Sequence, residues 1–272
     1  MKRKKIKVGI VGCGTIGLEV AKAVEGRLKE RAVLSAICDI DQLRIDNFLS
    51  KIKSSPEVSS LKNLIKKSDF VVESASAAIS AEVAKSALAA GKDALLMSVG
   101  GLLKDASVFD IARKSKARLY VPSGALAGLD TIKAAKIGKI NKVMLTTKKS
   151  PRSLEGAPYL AENKIDLSSL KEERAIFDGT AAEAVKGFPK NVNVAATLSL
   201  ACLGPEKTRV RIIAVPGSSF NTHEVEVEGE FGKLFTRTEN LPSPDNPKTS
   251  YLAALSAIAT LEEALSNVKI GT

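Results

Sequence analysis

The first half of the chain carries its apolar residues in short unbroken runs. Val8–Val11, Val33–Cys38, Phe70–Val72, Ala94–Met97 and the Arg118–Val121 segment each read as a strand. Runs of this kind, without alternation, suit strands buried on both faces. Between them the spacing becomes helical: Leu18, Val20, Ala21 and Val24; then Leu43, Ile45, Phe48, Leu49 and Ile52; then Leu61, Leu64 and Ile65; then 80–90 and 108–116. Strands alternating with helices predict an α/β fold, a parallel sheet with right-handed crossovers. After residue 140 the pattern changes. Residues 141–148 alternate like a strand with one buried face, and 149–174, polar and holding Pro151 and Pro158, reads as a long loop with little structure. Residues 175–179 form a short strand, 181–186 a helical turn, and 194–202 an apolar helix. Residues 208–214, 224–230 and 231–238 alternate as antiparallel strands around the turn Glu228–Gly232. Asn246 is the expected N-cap and Pro247 the first residue of a C-terminal helix running to 265. The second half is therefore expected to be an α+β unit with an open antiparallel sheet.

The first strand leads into Gly12-Cys13-Gly14-Thr15-Ile16-Gly17 and then directly into a helix. Strand, glycine turn, helix is the context in which G-x-G-x-x-G binds a dinucleotide. Gly12 permits the tight turn, Gly14 lets backbone approach a pyrophosphate, and Gly17 lets helix pack on strand. The free N–H groups of the helix start favour the anion. The second strand ends on Asp39, 22 residues beyond Gly17, where a carboxylate can bond the adenosine ribose and repel a 2′-phosphate. NAD is thus favoured, with NADP possible because Arg44 is near in sequence. The other strand ends, Glu73-Ser74-Ala75-Ser76, Ser98–Gly101 and Pro122–Gly128, are rich in small residues, as backbone lying against a flat cofactor requires. Ser74 and Ala75 join the candidate cofactor contacts. The expected division is a Rossmann dinucleotide-binding domain over 1–135, with the helix of 247–265 packing back on it, and a substrate and dimerisation domain over 136–246.

Composition narrows the classes. Among 272 residues, 44% are hydrophobic and 26% charged, ordinary for a globular protein. No apolar stretch reaches the roughly 18 residues of a membrane span, and the glycine-rich run after Lys2–Lys5 is too short for a signal peptide. The expectation is a cytoplasmic protein without membrane association. The net charge is +11, but the basic residues are dispersed and aromatics are 4%, so nucleic acid is not the expected partner; a positive excess also draws in anionic cofactors and dicarboxylates. Cys13, Cys38 and Cys202 fit neither a disulfide framework nor a zinc site. One histidine and no close carboxylate set argue against a metal.

That histidine, His223, has the side chain whose pKa lies nearest neutrality. It could serve as a proton acceptor, clamp a substrate carboxylate, or be a surface residue on a strand edge. Lys190 and the 246–250 segment, with Thr249 and Ser250, are candidates for holding a dicarboxylate; Asn191 and Asn193 open the 194–202 helix and could bond a nicotinamide carboxamide or the substrate.

Taken together, Val11–Gly17, Pro122-Ser-Gly-Ala-Leu-Ala-Gly-Leu-Asp130, Phe188-Pro-Lys-Asn-Val-Asn-Val-Ala-Ala-Thr-Leu-Ser199, Asn221-Thr-His-Glu224, Glu228–Gly232 and Asn246–Ser256 resemble the L-aspartate dehydrogenases of archaeal and bacterial type. The resemblance runs from near one terminus to near the other and is weakest over 149–174. It implies an NAD(P)-dependent oxidoreductase that converts L-aspartate to iminoaspartate, or to oxaloacetate and ammonia, with a role in pyridine nucleotide biosynthesis. It also implies a homodimer, Ala125 and Asn193 as cofactor contacts, and His223 as the active-site residue. Two other readings compete: another two-domain NAD(P) oxidoreductase of the dihydrodipicolinate-reductase or sugar-dehydrogenase kind, and an NAD-binding redox-sensing regulator. The second would need a basic recognition helix, for which the N-terminal strand leaves no room.

Overall fold

The computed structural model describes residues 4–189, 193–243 and 246–271, with backbone alone at 246–248. The chain forms two compact units, Met1–Pro122 with Ala253–Lys269, and Ser123–Leu252 with Ile270–Thr272.

In the first unit β1 (Ile6–Val11), α1 (Thr15–Glu25), β2 (Ala32–Cys38), α2 (Gln42–Leu49), β3 (Glu57–Val58), α3 (Leu61–Lys67), β4 (Phe70–Glu73), α4 (Ser80–Ala89), β5 (Asp93–Leu96), α5 (Ser107–Lys114) and β6 (Leu119–Tyr120) follow in order. The sheet order is β3-β2-β1-β4-β5-β6, and every pairing is parallel. This is the doubly wound arrangement, whose strand order reverses between β1 and β4. The unbroken apolar runs are buried as their pattern predicts: Val8, Ile10, Val71, Val72 and Leu95 have no exposed surface. Asp41 caps α2, its carboxylate accepting from the N–H groups of Leu43 and Arg44. Ala257, Ile258 and Leu261, near the C-terminus, join the core built from Val8, Ile10, Val20 and Phe48.

The second unit holds α6 (Leu129–Ala135), β7 (Ile140–Lys149), α7 (Pro151–Leu154), α8 (Pro158–Glu162), β8 (Arg174–Thr180), α9 (Ala181–Gly187), α10 (Asn193–Ala201), β9 (Arg209–Ala214), β10 (Asn221–Gly229), β11 (Gly232–Asn240), β12 (Pro242–Ser243) and β13 (Asn246–Ser250). Helix α11 (Tyr251–Ala264) begins here and carries the chain back to the first unit. The main sheet runs β11-β10-β7-β9-β8.

Four expectations change here. The sheet is mixed rather than antiparallel, because β7 and β9 pair in parallel; β8 and the helices α9 and α10 intervene between them in sequence, and they supply the crossover that a parallel pair requires. The segment 149–174 is not featureless: Pro151 and Pro158 each start a short helix, where a missing N–H costs nothing. The C-terminal helix does not begin at Pro247. Residues 246–250 form a strand paired with 242–243, so the helix starts at Tyr251. The boundary expected at 135 falls instead after Pro122, because the 123–128 segment is tied into the second unit. The Ala125 carbonyl accepts from Thr238 Oγ1 at 2.9 Å and Asn240 Nδ2 at 3.3 Å, and that of Ala127 accepts from Thr236 Oγ1 at 3.3 Å.

One face of the second sheet buries Val143, Leu145, Thr147, Lys149, Val210, Ile212, His223, Val225 and Val227. The other presents charge in alternating sign. Lys142 and Lys233 both reach Glu228, Arg237 reaches Glu224 and Glu239, and Arg209 and Arg211 share Asp178. Exposed pairs of this kind contribute little individually, but opposite charges across neighbouring strands hold the register. Phe235 lies on this face, 55% exposed.

Candidate active site

At the carboxyl edge of the first sheet, the glycine turn lies against the end of β4. A Cβ on Gly12 would stand 2.7 Å from the Ala75 nitrogen, and Gly12 has φ of +101°. A Cβ on Gly17 would stand 2.2 Å from the Gly12 oxygen. Both glycines are therefore demanded by the protein itself. Gly14 is not: a Cβ there meets nothing within 4 Å. Open space at the one glycine assigned to pyrophosphate approach fits a dinucleotide. The start of α1 fits as well, since its Gly14 N-cap provides no side-chain cap and its first turn has no acidic residue. The N–H groups of Thr15, Ile16 and Gly17 are thus left to an anion.

Asp39 lies beside this turn. Its Oδ2 accepts from the Cys13 N–H at 2.7 Å and its Oδ1 from the Asp41 N–H at 3.0 Å. The carboxylate has further lone pairs for a ribose hydroxyl. Arg44 pairs with Asp41 at 3.3 Å. Ser74 Oγ donates to the Gly12 carbonyl at 3.0 Å, joining the two strand ends. Cys13 is held as a thiol, its pKa pushed up to about 12 by burial and by the charge of Asp39; burial likewise raises Cys38 and takes Cys202 to about 11. None is an activated nucleophile.

One residue of this edge has a role that sequence alone did not assign. Glu73 is completely buried. It accepts from the N–H groups of Ala75, Ser76 and Ser98 and from Ser98 Oγ at 2.8–3.1 Å. Burial pushes its pKa up while those four donors oppose the shift. Its signal in the sequence was a lone acid closing an apolar strand.

In the second unit His223 is 2% exposed, so the strand-edge surface reading fails. It faces Thr147 across the β10–β7 ladder, and its Nδ1 lies 3.0 Å from Thr147 Oγ1. Burial and the positive charge of Lys149 push its pKa down to about 3. Lys149 follows Thr147 by two positions on the same buried face of β7. Its own pKa is lowered by burial to about 8. The sequence pattern had placed Lys149 at the head of a polar loop; only the extension of β7 by one residue turns it inward.

The remaining candidates divide. Ala125 is buried and fixed through its carbonyl, as described above. Asn193 is the first residue of α10 and exposed. Ser250 is buried, and its Oγ is 3.5 Å from Asn221 Nδ2, a weak contact; Thr249 is half-buried. Both lie on β13, so the argument that they offer free helix-start N–H groups does not hold. Lys190 and Asn191 lie outside the described residues. Among the described residues no group of His, Cys, Asp and Glu could hold a metal ion, and no helix is long and apolar enough to cross a membrane.

A doubly wound unit with a glycine turn open to pyrophosphate, joined to an α+β unit carrying a buried histidine, defines an NAD(P)-dependent dehydrogenase. The comparisons narrow the class. Residues 12–122 match the homoserine dehydrogenase NAD-binding domain, and residues 130–264 match the C-terminal domain of aspartate dehydrogenase. The chain is 47% identical to an L-aspartate dehydrogenase of Methanosarcina barkeri, covering 98% of this chain and 100% of the relative. It is 40% identical to one of Bradyrhizobium diazoefficiens, covering 98% and 95%. The crystal structure of aspartate dehydrogenase from Thermotoga maritima superposes with a TM-score of 0.71 at 27% identity, covering 98% of this chain and 100% of that one. The chain belongs to the L-aspartate dehydrogenase family.

The depressed pKa of His223 has a consequence for stability. Unfolded, the imidazole titrates near 6.5; folded, near 3. Between those values the unfolded state binds the extra proton, so stability rises with pH through this window. The contribution is complete above pH 6.5 and is lost as pH falls toward 3. Urea unfolding of wild type and His223→Gln between pH 4 and 7 should show a wild-type slope steeper by at most about 1.4 kcal/mol per pH unit. Parallel curves would mean that the histidine is not held neutral.

Proposed function

We propose that this chain oxidises L-aspartate to iminoaspartate with NAD as the preferred acceptor, and that water then yields oxaloacetate and ammonia. The observation that carries the reading is the buried His223–Thr147 pair with Lys149 beside it, in a chain whose relatives are L-aspartate dehydrogenases. When bound, NAD supplies the hydride acceptor. Gly12, Gly14 and the N–H groups of Thr15, Ile16 and Gly17 would receive its pyrophosphate and Asp39 its ribose. Ser74 and Ala75 would line the adjoining strand end, and Ala125 and Asn193 would contact the nicotinamide portion.

Losing hydride from Cα requires a neutral amine, because the nitrogen lone pair must form the C=N bond. The ammonium proton therefore has to leave first. His223 is neutral at working pH, and Thr147 fixes its ring. A pKa of about 3 makes it a poor acceptor by itself. A substrate carrying two carboxylates opposes the charge of Lys149 and lifts both pKa values. Proton acceptance by His223 is then tied to the arrival of the right anion. Thr249 and Ser250, with Lys190 and Asn191, remain candidates for the second carboxylate. The enzyme works in the cytoplasm, where its thiols stay reduced.

Wild-type protein should reduce NAD with L-aspartate at alkaline pH, and His223→Gln should lose about 10²–10⁴-fold in kcat/KM, the usual cost of removing a general base. NAD binding should be unchanged. Wild-type turnover in the variant would remove His223 from the chemistry.

Asp39→Ser should shift the cofactor preference toward NADP by removing repulsion of the 2′-phosphate. Because the same carboxylate holds the Cys13 and Asp41 N–H groups, affinity for NAD should also fall. Steady-state kinetics with both cofactors decides; an unchanged ratio would place the acid away from the ribose.

The enzyme is a homodimer in this reading, its partner covering the open face of the second sheet around Phe235. The alternating charges there suit a two-fold contact, in which a patch meets its own copy. Light scattering should report twice the 28.7 kDa of the chain; a monomer at micromolar concentration would refute the dimer.

A further inference from the structure

We propose that Thr238 and Asn240 are positioning residues. They hold Ala125 in fixed register with His223, so that the hydride acceptor and the proton acceptor stay matched to two adjacent atoms of the substrate. The inference rests on the functional reading above for the substrate and for the roles of Ala125 and His223. The chemistry sets the demand. L-Aspartate gives up a proton from nitrogen and a hydride from Cα, and those two atoms share one bond. The groups that receive them must therefore be held at a fixed separation, since a misplacement of about 1 Å can cost roughly 10²-fold in rate.

The second unit meets this demand with its own side chains. Ala125 is the third residue of a tight turn that the Leu126 N–H closes on the Ser123 carbonyl at 3.2 Å, with Gly124 at φ of +64°. The Ala125 carbonyl then accepts from both Thr238 Oγ1 and Asn240 Nδ2. Thr238 is also the cross-strand partner of His223 on β11, as Thr147 is on β7. Residues paired in this way share a face of the sheet. The side chain beside the candidate proton acceptor thus grips the residue assigned to the nicotinamide portion. Asn240, 4% exposed, completes the clamp. Its Nδ2 reaches Thr238 Oγ1 and the Asn221 carbonyl, each at 3.2 Å. The Ala125 and Asn221 carbonyls can only accept, so the amide must turn its nitrogen toward them. Asn240 then donates to the Thr238 hydroxyl, and that hydroxyl donates its own proton to Ala125, each bond strengthening the next.

The test uses the full-length chain. Thr238→Val keeps the branched shape and loses the hydroxyl, Thr238→Ser keeps the hydroxyl, and Asn240→Asp sets lone pairs against both carbonyls. NAD binding by calorimetry, turnover of L-aspartate and of its Cα-deuterated form, and Tm are measured on each. In Thr238→Val, kcat should fall about 10–10²-fold, the range expected for a shift of up to about 1 Å, while the KM for L-aspartate holds. The deuterium effect on kcat should grow, because hydride transfer becomes the slowest step. NAD affinity should fall about 2–10-fold, the worth of one hydrogen bond. Thr238→Ser should recover most of both losses, and Asn240→Asp should match or exceed the Val variant. A merely structural role would lower Tm alone, so wild-type kcat, isotope effect and NAD affinity in Thr238→Val would overturn the proposal. Equal losses in the Val and Ser variants would overturn it too, since the hydroxyl would then not matter. So would unfolding of both Thr238→Val and Asn240→Asp, which would make the network a support of the fold only. If the wild type ignores L-aspartate yet NAD affinity follows the hydroxyl through the Val and Ser variants, the substrate reading fails and the clamp on Ala125 stands.

Discussion

The first unit depends on a close approach of backbone at one place, where β1 and β4 end side by side. The Gly12 turn and the Ser74–Ala75 bend leave no room for a side chain between them. What holds the bend is Glu73, a buried carboxylate receiving four hydrogen bonds from the ends of two neighbouring strands. A buried carboxyl group is tolerated only when its polar atoms are satisfied, and here satisfaction requires that β4, β5 and the bend after β4 be in register. The same contact shapes the rim on which a dinucleotide would lie. Binding surface and structural constraint would then be one set of atoms.

The second unit meets the opposite problem. It buries a lysine and a histidine on a sheet face otherwise made of Val, Leu and Ile. Desolvation depresses both pKa values, and the charge of Lys149 lowers that of His223 further. An anionic ligand beside the pair would stabilise the protonated lysine and restore basicity to the imidazole.

The anchoring of Ala125 connects this site to the chain that leads into it. Thr238, Asn240 and Thr236 on β11 fix the Ala125 and Ala127 carbonyls, and Asn240 also bonds the Asn221 carbonyl, two residues before His223. The segment expected to belong to the nucleotide unit is thus held by the sheet that carries the histidine. Its position is set by side chains more than 100 residues away in sequence.

Local physics determined much of this protein from its sequence. Unbroken apolar runs specify strands buried on both faces. Glycine spacing specifies a turn that backbone alone can make, and alternation specifies the one-sided strands of the second half. The resemblance read from dispersed motifs named the family that the comparisons then showed. Other features were decided only by tertiary structure. Pairing between β12 and β13 took residues 246–250 out of the helix that Asn246 and Pro247 signalled, because strand hydrogen bonds used the backbone that a cap would have left free. The parallel pairing of β7 with β9 arises from contacts 65 residues apart, which no window of sequence contains. Glu73, Thr147 and Lys149 look unremarkable in the chain, as one acid, one hydroxyl and one of many lysines. Their roles come from burial and from neighbours on other strands, and a linear sequence specifies neither until the chain has folded.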